Sequence, residues 1–219
     1  MLLRFLGSLV RSAGGSNSPA SPARRVLDVG GYSKALPLPR RFRGWEHVLL
    51  DADARGESDV DFDARDLASL PPAQFDAVYC SHYLECHHRL DGVNVLRGFL
   101  HVLKPDGFAQ VIVSDLQAVM QGVAGANVDL AKVLYRSPAG PIAVRDLIYG
   151  IGDGVDHSVR GRYAHKTEFT PQSLCKTLAH VGFPYIHSVV APESFEITAL
   201  AFKSLPTTEQ RTLLNLPAA

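Results

Sequence analysis

Residues 25–34 read RVLDVGGYSK: an apolar, β-prone run that stops at two glycines, Gly30 and Gly31, after which the chain turns polar. Three further runs follow the same plan, HVLLD at 47–51, FDAVYC at 75–80 and FAQVIV at 108–113. Continuous apolar runs of this length suit strands covered on both faces, as in a parallel sheet. Between the last two, Val93, Leu96, Phe99, Leu100 and Leu103 recur at three- and four-residue steps before Pro105-Asp106-Gly107. That spacing predicts an amphipathic crossover helix with a stop signal. Strands alternating with a crossover helix define an α/β fold, whose ligand lies at the carboxyl ends of the parallel strands.

Both glycines sit where such a ligand would lie, so the backbone can turn sharply and approach it with no Cβ in the way. Asp51 ends the next apolar run about 20 residues on, the place from which a carboxylate accepts hydrogen bonds from two ribose hydroxyls. A nucleotide-type ligand is the reading these residues support.

Downstream, residues 116–135 read as helical, and residues 141–169 as a long loop rich in glycine and charge; loops of that length usually carry function. Thr170 and Pro171 open a further helix as N-cap and first helical residue; Leu174, Leu178 and Val181 form its apolar face and Gly182 ends it. YIHSVV (185–190) and FEITALAFK (195–203) are strands that complete the sheet.

At 219 residues one domain is expected, over residues 25–205. Residues 1–24 form an N-terminal segment with Arg4, Arg11 and Arg24 and no acid, and 206–219 a C-terminal tail. The N-terminus reads either as an amphipathic anchor or organelle transit peptide, with membrane contact through residues 1–20, or as a frayed helix plus linker. Lys plus Arg and Asp plus Glu both total 22, so no net positive field attracts nucleic acid. Cys80, Cys86 and Cys175 form neither a CxxC pair nor a disulfide framework, which fits a reducing cytoplasm, with organelle or membrane-peripheral placement as the alternative. The Cys80, His82, Glu85, Cys86, His87, His88 cluster has the spacing of no common zinc site, and no metal is expected.

Taken together these pieces resemble the class I S-adenosylmethionine-dependent methyltransferases of the type 11 kind, well over residues 25–118 and loosely over 163–203. The family's acid-x-Gly-x-Gly motif corresponds to Asp28-Val29-Gly30-Gly31-Tyr32, with Tyr32 at the second glycine position and Lys34 at the later one. Asp51 matches the ribose-binding acid, and Asp63-Ala64 the pair that meets the adenine. Phe75-Asp76-Ala77-Val78 looks like the fourth-strand motif, continuing into Cys80-Ser81 beside the cofactor, and Leu103-Lys104-Pro105-Asp106-Gly107 resembles the turn before the fifth strand. The resemblance implies a Rossmann-like doubly wound sheet, mostly parallel with an antiparallel last strand, and S-adenosyl-L-methionine as cofactor. It also implies that residues 115–168 form an insertion covering the acceptor site. A nicotinamide dehydrogenase is set aside because its G-x-G-x-x-G needs glycines where Tyr32 and Ala35 stand.

For a small-molecule or saccharide-type acceptor, His82, Tyr83 and Glu85 follow the fourth strand where it would enter. His157, Arg160, Arg162, His165 and Lys166 form a second cluster, whose cations suit an anionic or sugar-like group. His82 and His165 are the candidate bases. Each acid also has a structural alternative: Asp28 can cap its loop, Asp76 can accept backbone N–H bonds, and His165 can brace the following helix. The loss of glycine at Tyr32 keeps a second reading open, a catalytically silent methyltransferase-like domain that binds a partner.

Overall fold

A computed structural model describes residues 23–31, 33–51, 58–60, 62–124, 128–137, 140–152 and 163–217. Strands β1 (Arg25–Val29), β2 (Glu46–Leu50), β3 (Phe75–Ser81) and β4 (Leu103–Ser114) run parallel, and β7 (Tyr185–Ala191) and β8 (Glu196–Phe202) complete a six-stranded sheet. The order is β2-β1-β3-β4-β8-β7, with β8 antiparallel to both neighbours. The expected doubly wound sheet with an antiparallel last strand is therefore present, and that strand lies inside the sheet. The chain leaves β1 toward β2 and returns past β1 to β3, so the strand order reverses at the carboxyl ends of β1 and β3, where open α/β sheets hold ligands.

One face of the sheet is covered by α1 (Arg89–Val102) and α4 (Pro171–Val181). Leu96 and Phe99 of the expected apolar set are fully buried against Val78, Ala109 and Val111, joined by Val95 and Val102, while Val93 and Leu100 are only half-buried and Leu103 opens β4. Helix α4 starts as expected: the Thr170 hydroxyl accepts from the Ser173 N–H at 3.2 Å and Ser173 Oγ accepts from the Thr170 N–H at 2.8 Å. Gly182, at φ +114°, ends it. The other face carries a smaller cluster in which Phe42, Phe108 and Phe202 meet Leu214.

Three expectations change. The stretch read as helical up to Tyr135 contains only α2 (Leu116–Ala124), followed by a hairpin of β5 (Val133–Ser137) and β6 (Gly140–Ala143) and then α3 (Val144–Tyr149). The β-prone Val133-Leu134-Tyr135 and the turn ending at Gly140 (φ +121°) prevail over the apolar spacing. Residues 104–107 form no separate turn before a strand; they bulge within β4 opposite Asp76, because the register jumps from Phe75↔Leu103 to Ala77↔Phe108. Lastly, the segment read as a C-terminal tail holds α5 (Thr208–Leu214), which buries Leu214 against the second cluster. Among the described residues no helix is long and apolar enough to cross a membrane.

Candidate active site

The turn after β1 is built by exclusion of side chains. Gly30 adopts φ +76°, and its N–H donates to the Leu50 carbonyl at 3.0 Å, tying the ends of β1 and β2 together. A Cβ on Gly30 would lie 2.2 Å from Cδ2 of Tyr83, and one on Gly31 would lie 2.2 Å from a carboxylate oxygen of Asp28. Neither position tolerates a side chain without movement of the site. Asp28 is buried, with Oδ2 3.0 Å from Nε2 of His47. Burial pushes its carboxyl above the usual range; His47 opposes that rise and the nearby Asp51 adds to it. Asp51 is also buried, at the end of β2. Two carboxylates thus stand at the ends of neighbouring parallel strands, beside a turn stripped of side chains.

Asp63 begins a 3-10 helix, Ala64–Ser69, whose Ala64 is wholly buried. Its carboxylate accepts from the Arg65 backbone N–H at 2.9 Å and from the Arg65 guanidinium at 2.5–3.0 Å, and this pairing holds it below the usual carboxylate range. Asp63 therefore caps a helix and pairs with Arg65. Asp76 is structural: it accepts from the Arg25 N–H at 2.8 Å and from the Lys104 ammonium at 2.8 Å. Tyr83 lies over Gly30, its ring 4.5 Å from that of His87, and burial pushes its hydroxyl up. The His87 Nδ1–H donates to the Tyr83 carbonyl at 2.9 Å. Burial likewise raises the Cys80 thiol, which stays protonated and inert; Ser81, beside it, is half-buried.

His82 corrects one expectation. It sits at φ +50°, with Nδ1 3.3 Å from Glu85 Oε1 and Nε2 3.1 Å from Glu196 Oε1. Burial alone would lower its pKa, but the two carboxylates prevail and push it up to about 10. Paired with both carboxylates while 38% exposed, His82 donates from both ring nitrogens and serves here as an ion-pair partner. Glu85, expected to touch the acceptor, is instead fully buried: Oε1 also accepts from the Ser114 N–H at 2.8 Å, and its backbone carbonyl accepts from the N–H groups of Lys166 and Thr167 at 2.7 and 3.1 Å. His82, Glu85 and Glu196 form a triad where the carboxyl ends of β3 and β4 meet the amino end of β8.

The second cluster is stapled onto this triad. Lys166 Nζ donates to the Cys86 and Ala164 carbonyls at 2.8 and 3.3 Å, and the Thr167 hydroxyl donates to the His87 carbonyl at 2.7 Å. His165 turns inward, its side chain 8% exposed and Nδ1 3.1 Å from Glu168 Oε1. Lys166 and His165 thus brace the loop, the structural alternative already open for His165. Tyr32, His157, Arg160, Arg162 and the N-terminal residues 1–22 lie outside the described residues. Among the described residues, no group of three or more His, Cys, Asp or Glu is arranged to hold a metal ion.

Above the triad, residues 115–149 pack as a separate apolar cluster containing Val119, Ile142, Val144 and Leu147. This cluster rests on the β7–β8 turn through Phe195, whose ring stacks 6.4 Å from that of Tyr135. Burial, with Glu196 nearby, pushes the Tyr135 hydroxyl up to about 12. Sequence reasoning missed His47 and Glu196. His47 lies opposite Val26 in the β1–β2 register, two residues below the level of Asp28 on the same face, and Glu196 comes from the last strand. Only the strand register could have found them.

A family model described as a methyltransferase domain matches residues 45–111. Among solved structures, an S-adenosylmethionine-dependent methyltransferase from Archaeoglobus fulgidus is similar at TM-score 0.52 and 16% identity, over 83% of this chain and 86% of that one. The methyltransferase SibL in its apo form matches at TM-score 0.51 and 18% identity over 85% of this chain and 51% of its own, and PigF with S-adenosylhomocysteine at TM-score 0.50 and 14% identity over 83% and 50%. The chain spans about half the length of the latter two. At these identities the likeness is one of fold. No curated protein matches the chain.

Proposed function

We propose that this chain is a class I S-adenosylmethionine-dependent methyltransferase, as the family-model match over residues 45–111 and the shared fold support, and that it methylates a small-molecule or saccharide-type acceptor. The observation that carries the proposal is the cradle at the ends of β1 and β2: two glycines that admit no Cβ, flanked by buried Asp28 and Asp51. These residues fit a nucleoside, with Asp51 accepting from the ribose hydroxyls, Asp28 shaping the turn, and Asp63 and Ala64 at the base edge. S-adenosyl-L-methionine supplies, when bound, a sulfonium methyl group open to in-line displacement.

The protein's contribution is then alignment of the acceptor atom with that methyl at near-attack distance, which needs no base where the acceptor carries a free lone pair. The locked state of His82 and the inward turn of His165 support that reading. We assign the acceptor contacts to the exposed rim of the triad, to Tyr83 and Tyr135 and, from sequence, to His157, Arg160 and Arg162. One observation favours the second reading, a catalytically silent binding domain: the Tyr83 ring lies directly on Gly30. Calorimetric titration with S-adenosylhomocysteine separates the two. Binding weakened roughly 10- to 100-fold by Asp51→Ala, as expected for losing about 1.5–3 kcal/mol of hydrogen bonding to a charged group, supports the enzyme reading, whereas no binding by the unmodified chain favours the silent domain.

A further inference from the structure

The two edges of the sheet are finished differently. At the β2 edge the chain folds back on itself: the N–H groups of Asp59 and Val60 donate to the Leu49 carbonyl at 3.0 and 3.1 Å, and the Asp59 carboxylate accepts from the Leu49 N–H at 2.8 Å. Lys34 pairs with Asp59 and holds this strap in place. The β7 edge has no such cover among the described residues, where β7 pairs only with β8. Its seven residues, YIHSVVA, include no acid, Lys, Arg or Pro, and Tyr185, Val189 and Val190 are 42%, 54% and 46% exposed. Charge, proline and bulges are the usual means of keeping an edge strand from pairing with another chain, and β7 uses none of them.

We propose that β7 is a self-association edge, at which a second copy of this chain adds its own β7 antiparallel about a two-fold axis at Ser188. Three observations select this occupant. A strand about 23 Å long without charged side chains meets no like-charge repulsion when it faces itself. Centring the pair on Ser188 places each exposed Val190 beside Ile186 of the other copy, and each exposed Val189 beside its His187, so both valines gain cross-strand neighbours. The ends are also complementary. Glu193 follows β7 in the turn to β8, while the opposite end of the strand borders a cleft of about 320 Å³ lined by Tyr185, His187, Leu205 and Arg211. Antiparallel pairing brings Glu193 of one copy toward the cleft that holds Arg211 of the other. The contact is isologous and closes as a dimer.

Sedimentation of the full chain across micromolar to high-micromolar concentrations tests the proposal, together with Val189→Lys, which places a charge on the edge, and a Ser188→Cys variant in a Cys175→Ser background. The background change is needed because Cys175 Sγ lies 3.4 Å from Ser188 Oγ and would compete for the disulfide. The expected result is a dimer that Val189→Lys converts to monomer with the fold kept by circular dichroism. In the cysteine variant, mild oxidation should yield a covalent dimer, since directly opposed residues lie within disulfide reach. A full chain that stays monomeric at high-micromolar concentration overturns the proposal. So does a dimer that survives Val189→Lys and fails to cross-link at residue 188. A chain that dimerises only once residues 1–22 are removed overturns it for the full chain and assigns the edge to the N-terminal segment.

Discussion

The carboxyl ends of β1 and β2 and, on the same rim of the sheet, those of β3 and β4 with the amino end of β8 treat their charges in opposite ways. At the first, Asp28 pairs with His47, and burial keeps its proton affinity high. At the second, Glu85 and Glu196 are held below the usual carboxylate range by the same imidazolium, and Glu85 also ties β4 and the 166–167 loop to the short 3-10 helix after β3. Polarity at the first end flanks the glycine turn, and polarity at the second ties elements of the fold together. Buried polar residues at strand ends are therefore no guide to catalysis until their partners are known.

The largest effect should come from removing the hub of the second end. Glu85→Ala leaves the Ser114 N–H without its buried acceptor and His82 with Glu196 alone, and is expected to cost about 1–3 kcal/mol in denaturant unfolding. Asp28→Asn, at the first end, keeps a hydrogen-bonding oxygen toward His47 and removes only a charge that burial already disfavours. Its stability should change by less than about 1 kcal/mol, and equal losses for the two variants would erase the comparison.

pH sharpens the same contrast. Because the folded pKa of His82 is raised from 6.5 to about 10, its stabilising contribution is complete below pH 6.5 and is lost as pH climbs toward 10. Glu85 and Glu196, held below 4.5, contribute above pH 4.5 and lose that contribution in acid. The melting temperature of the unmodified chain minus that of His82→Gln should therefore be greatest between about pH 4.5 and 6.5 and shrink on either side; a difference flat from pH 5 to 10 would mean that the imidazole is neutral in the fold. The smallest effect is expected for Arg65→Ala. It breaks an exposed pair with Asp63 worth less than about 1 kcal/mol, so the melting temperature should hardly move while the carboxylate is freed from the guanidinium.

Much of the first end could be read directly from the chain. Gly30, Gly31, Asp28 and Asp51 are close in sequence to the strands that carry them, and their chemistry follows from a local rule, that an apolar run stopping at small residues ends a buried strand. The start and stop of α4 were legible for the same reason, since Thr170, Pro171 and Gly182 act within one helical turn. The β5–β6 hairpin was not, because apolar residues at short spacing serve a helix or a strand equally well until tertiary packing chooses.

The sequence by itself determined the α/β class, the crossover helix and the place of the glycine turn, because periodicity and local backbone preferences act over a few residues. Only the tertiary structure decided what His82, Glu85, His165 and Lys166 do. Their partners, Glu196, Ser114, Glu168 and the Cys86 carbonyl, are joined to them by the folding of β8, β4 and the 163–169 loop onto the turn after β3, and a proton's position depends on which groups stand within hydrogen-bond distance.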